Sequence, residues 1–62
     1  MKEIATIKFK DAETSDNAIA VIRSADDAVA ICLSVQGGSD VEVVLSKADA
    51  RVLLEALKKA VT

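Results

Sequence analysis

Apolar and polar residues alternate along most of this chain, and the period of the alternation changes near its end. From Ile4 to Phe9, Ala5, Ile7 and Phe9 alternate with Ile4, Thr6 and Lys8. This period of two marks a half-buried strand, in which successive side chains point to opposite faces. Lys8 and Lys10 then fall on the outer face. The stretch from Lys10 to Asn17 is polar and dense in residues whose side chains bond nearby backbone, so it reads as a loop. A second apolar run, Ala18 to Arg23, has an ambiguous facing, because Ile19 and Val21 point one way and Ile22 the other. Ser24 to Asp27 supplies the next turn. The third run is the clearest strand, with Val29, Ile31, Leu33 and Val35 on one face and Ala28, Ala30, Cys32 and Ser34 on the other.

The fourth run, Asp40 to Ser46, sets Val41, Val43 and Leu45 against Glu42, Val44 and Ser46. Side-chain matching fixes its register on the third run. A two-residue Gly37-Gly38 turn would oppose Leu33 to Glu42, whereas a three-residue loop, Gln36-Gly37-Gly38, opposes Leu33 to Val41, Ile31 to Val43 and Val29 to Leu45. That loop places Gly38 where a left-handed residue is wanted. Beyond Leu45 the period becomes 3.6, with Ala50, Leu53, Leu54, Leu57 and Val61 forming one stripe. Ser46 and Asp49 form a capping pair, Lys58 and Lys59 suit the negative end of the helix dipole, and Arg51–Glu55 and Glu55–Lys59 are spaced as ion pairs.

These elements predict a single β-β-β-β-α domain over residues 1–62, of α+β class. Short connections favour a four-stranded antiparallel meander, with the C-terminal helix packed on one face. The covered face is expected to be the branched one, where Ile7, Phe9, Val29, Ile31, Leu33, Val35, Val41, Val43 and Leu45 meet Leu53, Leu54, Leu57 and Val61. Ala28, Ala30, Cys32 and Val44 remain on the opposite face.

Size adds a constraint. In a chain of 62 residues, apolar burial and the entropy of ordering nearly cancel, and small domains meet the shortfall with disulfides, a structural metal or self-association. A single cysteine, Cys32, excludes an internal disulfide, and with no histidine the usual zinc ligand sets are missing. Self-association is what remains. Ala28, Ala30, Cys32 and Val44 form the candidate dimer interface, since small side chains permit close approach. An exposed sheet edge would add to it, together with Val52 and Ala56 of the helix.

Charge narrows the partners. Eight basic and ten acidic residues leave a net charge of -2, which gives no global attraction to phosphate, so nucleic acid is not the expected partner. The longest uninterrupted apolar run, Val43 to Leu45, is far too short to cross a membrane or to form a signal-peptide core. The unpaired thiol suits a reducing compartment, and a cytoplasmic protein with no membrane association is expected.

No chemistry-bearing motif emerges. Cys32 lies between Ile31 and Leu33 with no base or cation adjacent in sequence to form a thiolate. Without histidine or tyrosine, acid–base work would fall to carboxylates or lysines, and only Glu42 sits in an apolar run. Asp11, Glu13, Ser15, Asp16 and Asn17 loosely resemble a calcium loop, but the turn glycine and the distal glutamate are missing. Gly37-Gly38 leads into a strand, whereas a phosphate cradle needs a helix N-terminus. No catalytic residue, metal site or cofactor is therefore expected.

The segment Val41-Glu-Val-Val-Leu-Ser-Lys-Ala-Asp-Ala-Arg-Val-Leu-Leu-Glu-Ala-Leu-Lys-Lys-Ala resembles the ending of many small uncharacterised bacterial proteins, in which a last strand runs through Leu-Ser into a helix. In outline, four strands and a helix also resemble the PC4-like transcriptional coactivators. That resemblance implies a homodimer and a single-stranded DNA ligand. The basic and aromatic strand residues and the Lys-Gly approach to the last strand of that family are absent here, so no binding residue carries over.

The function expected from the sequence is a non-enzymatic, homodimeric interaction or accessory module whose partner is itself or another protein. The alternative is a PC4-like single-strand binder using Lys2, Lys8, Lys10 and Arg23; a small enzyme comes third.

Overall fold

A computed structural model describes residues 1–62. Strands β1 (Lys2–Lys10), β2 (Asn17–Ser24), β3 (Ala28–Val35) and β4 (Val41–Ser46) precede one helix, α1 (Lys47–Ala60). The strands pair antiparallel in the order β1-β2-β3-β4, a meander in which each hairpin neighbour in sequence is a neighbour in space. This is the α+β arrangement that the change of period requires.

The register between β3 and β4 opposes Leu33 to Val41, Ile31 to Val43 and Val29 to Leu45, which puts branched residues on a common face. The connection differs in detail from the expected three-residue loop. Pairing with β4 begins only at Val41, so Gln36 to Asp40 lie outside the β3–β4 ladder, with the Gln36 N–H donating to the Asn17 carbonyl at 2.9 Å and the Gly38 N–H to the Val35 carbonyl at 3.0 Å. The left-handed residue is Gly37, with φ 79°, and not Gly38. Gly37 occupies the third position of the Val35–Gly38 turn, where a type II turn requires positive φ.

Register also resolves β2. Ala18, Ala20 and Ile22 oppose Val35, Leu33 and Ile31, so they share the branched face, while Ile19, Val21 and Arg23 lie on the other. On β1, Ala5, Ile7 and Phe9 oppose Ile22, Ala20 and Ala18. A bulge between Glu3 and Ala5 inserts one extra residue and shifts the alternation, which brings Lys2 opposite Ser24 and off the face that holds Lys8 and Lys10.

Ser46 is both the last residue of β4 and the N-cap of α1, and its Oγ accepts the Asp49 N–H at 3.1 Å. At the other end the Val61 N–H donates to the Leu57 carbonyl at 3.1 Å. Glu55 pairs with Lys58 at 3.5 Å, and not with Arg51 or Lys59 as the four-residue spacings suggested.

The expected core does not form within one chain. Helix α1 lies against β4 and β3 alone and buries none of its residues. Exposure rises along its stripe, from half-buried Ala50 through 40% at Leu53, 48% at Leu54 and 55% at Leu57 to 81% at Val61. The helix thus diverges from the sheet as it leaves Ser46, and most of the branched face stays open. Ala20 and Ala30 are the only buried residues.

Candidate interaction surface

Cross-strand register organises the branched face into rows. Phe9, Ala18 and Val35 form one; Ile7, Ala20, Leu33 and Val41 the next; Ala5, Ile22, Ile31 and Val43 the third. The first two rows place alanine on β2 between large side chains on β1 and β3. The result is a trough running along β2, walled by Phe9 and Ile7 on one side and Val35 and Leu33 on the other, and closed at one end by Ile22. A cleft of about 400 Å³ at the other end of the sheet is lined by the cross-strand row Lys8, Ile19 and Ser34 of the opposite face as well as by Phe9, Ala18 and Val35, so it is not a continuation of the trough. Lys10 Nζ donates to Asn17 Oδ1 at 3.1 Å and Asn17 Nδ2 to Gln36 Oε1 at 3.1 Å, tying three strands together at that end.

The face carries no charged side chain in those rows, and five of its large members are 45–55% exposed: Ile7 and Phe9 on β1, Leu33 on β3, Val41 and Val43 on β4. One chain exposes 4855 Å². A compact monomer of this mass exposes about 3,800 Å². Its radius of gyration is 12.6 Å, against about 10.6 Å for a compact chain of this length. Both quantities describe a sheet and a helix that have not closed on each other.

The opposite face is partly closed already. Ala28, Ala30, Cys32 and Val44 do share it, and Ala28 and Cys32 are half-buried. Arg23 on β2 forms an ion pair with Glu42 on β4, and a bond between those strands must pass over β3. Register puts Ala30 beside Arg23, and it is 1% exposed. A larger residue there would stand in the way of the guanidinium. Cys32 is half-buried, opposite Glu42 and Val21.

The four cations considered for nucleic acid do not form a row. Lys8 and Lys10 share a face on β1, the bulge turns Lys2 away, Lys10 is bonded to Asn17, and Arg23 is paired with Glu42. The β1–β2 loop is organised by its own carboxylate. Asp11 Oδ1 accepts the Glu13 N–H at 2.8 Å and the Thr14 N–H at 3.1 Å, and these two amides hold the Asp11 carboxyl below its ordinary value of 3.8. Ser15 follows in a left-handed conformation, φ 66°. No three His, Cys, Asp or Glu side chains converge anywhere in the chain, and no helix is long and apolar enough to cross a membrane.

Two features were beyond sequence reasoning. The trough needed the facing of β2, which its own pattern left open, and the Arg23–Glu42 bridge joins strands that are not neighbours. Comparison with protein-family models, with curated proteins and with solved structures finds no match for this chain.

Proposed function

We propose that the protein is a non-enzymatic interaction module whose working form is a homodimer closed over the branched face. The observation that carries this reading is the open face itself, which leaves about 1,000 Å² per chain in excess of a compact monomer. Two copies that hide that excess bury about 2,000 Å² together, the upper end of a standard specific interface. At ~25 cal/mol/Å², apolar area on this scale is a large driving force for association. The branched face is favoured over the Ala28, Ala30, Cys32 and Val44 face because the latter is crossed by the Arg23–Glu42 pair, whose desolvation would oppose contact.

The non-enzymatic part of the reading takes its support from four of the ten carboxylates, which are engaged in local structural bonds. Asp11 bonds its own loop, Glu3 accepts from Thr6, Glu42 pairs with Arg23 and Glu55 with Lys58. A cytoplasmic setting accords with the single unpaired thiol. The competing reading, a PC4-like single-strand binder, lacks the continuous cationic row that a phosphate track needs.

Sedimentation equilibrium at micromolar concentration tests the proposal, with twice the chain mass expected. A single-chain mass independent of concentration overturns it. Retention on single-stranded DNA at low salt, lost steeply as salt rises, would transfer support to the competing reading.

A further inference from the structure

We propose that α1 of one copy seats in the alanine trough on β2 of a second copy, so that the two chains cover each other's sheets by reciprocal exchange of their helices. This rests on the self-association reading and adds the occupant of the surface.

Three observations converge on it. The first is complementarity of spacing. Ala18 and Ala20 form two low points on one face of β2, about 6.8 Å apart at the rise of a strand, with Ala18 half-buried and Ala20 buried beneath the large side chains beside it. Leu53, Leu57 and Val61 follow one another at four-residue intervals, about 6 Å apart along a helix. Two consecutive members of that stripe therefore match the two low points, with Phe9, Ile7, Leu33 and Val35 as walls.

The second observation is reach. Helix α1 begins at Lys47 directly after β4, with Ser46 serving both elements, so no linker residues allow it to swing. It touches β4 and β3, has no contact with β2 or β1, and points farther from the sheet with each turn. Its own trough lies beyond it, two strands from β4.

The third is area and symmetry. The large side chains of the branched face and the helix stripe are both exposed in the same chain, although Ala20 beneath them is buried, so each copy offers one donor and one acceptor surface. A two-fold pairing satisfies both at once and closes at two copies, with no surface left to propagate a chain of subunits. The excess of about 1,000 Å² per chain is on the scale that each partner of a standard specific interface buries.

Thiol crosslinking with the full chain tests this. In a Cys32→Ala background, the variants Ala20→Cys and Leu57→Cys are made separately, checked for folding by circular dichroism and for mass by sedimentation, then mixed and treated with a short bis-maleimide. Helix exchange yields a covalent species at twice the chain mass in the mixture and not with either variant alone. If sedimentation shows a dimer but the mixture does not crosslink, the exchange is overturned while self-association stands. Crosslinking of Ala20→Cys alone would indicate face-to-face sheets, and of Leu57→Cys alone a helix pair; either overturns the exchange. A double variant that crosslinks internally and stays at single-chain mass places the helix on its own sheet and overturns both proposals.

Discussion

Truncating Leu57 to alanine separates an isolated chain from an assembled one. In one chain Leu57 keeps 55% of its surface exposed, so less than half of its apolar area is at stake. Full burial of a leucine contributes about 1.5–3 kcal/mol, so the isolated chain should lose about 1 kcal/mol or less. Alanine's better helix propensity offsets part of even that. If Leu57 is instead seated in the trough of a second copy, its removal leaves a cavity between two walls of large side chains. The cost is then about 2–5 kcal/mol per chain, the range for buried leucine truncations. Urea denaturation followed by circular dichroism distinguishes the cases when run at two protein concentrations. A hundredfold increase in concentration raises the apparent stability of an obligate dimer by about 2.7 kcal/mol per mole of dimer, whereas a monomer does not respond. The expected result is a loss of at least about 2 kcal/mol together with a concentration-dependent midpoint. A loss below about 1 kcal/mol with a midpoint independent of concentration would refute the reasoning and make α1 peripheral.

Other substitutions probe the local chemistry. Gly37→Ala should cost about 1–2 kcal/mol because only glycine takes φ 79° without strain, although a Cβ there meets nothing within 4 Å; a neutral result in urea melts would contradict the turn assignment. At Gly38 the obstacle is contact, since a Cβ would lie 2.6 Å from Val35 Cγ1, so Gly38→Ala should cost about 0.5–1.5 kcal/mol as Val35 leaves its rotamer, and Val35→Ala in the same chain should relieve most of it. Ser15→Gly should raise stability by up to about 1 kcal/mol by releasing a left-handed serine; a lower melting midpoint would count against that conformation. Ser46→Ala removes the acceptor for the Asp49 N–H and should cost about 0.5–2 kcal/mol, with reduced helical signal at 222 nm as the ordinary spectroscopic readout. Because the Asp11 carboxyl titrates below 3.8 in the folded chain, its contribution is complete above the unfolded value and is lost as pH falls through the folded one. Acid titration of stability should therefore be shallower in Asp11→Ala, and an unchanged acid limb would exclude the loop bonds.

Local periodicity in the sequence was enough for the strands, the helix, its serine cap and the β3–β4 register. Each depends on the spacing of neighbouring residues or on matching two adjacent runs, such as Leu33 against Val41. The turn was legible as a glycine pair, but which glycine is left-handed depended on where pairing resumes, and that lay at Val41. The facing of β2 was not legible, because Ile19, Val21 and Ile22 give contradictory signals until β1 and β3 pair on either side. Nor could the Ile4 bulge be seen, since an extra residue in one strand is defined only by the count in its partner. The same limit applies to the core. Amphipathic strands and an amphipathic helix establish that apolar faces must be covered, but not which surface covers which. That was decided by tertiary geometry, in which a helix joined to β4 through a single shared residue diverges from the sheet and leaves both apolar faces open.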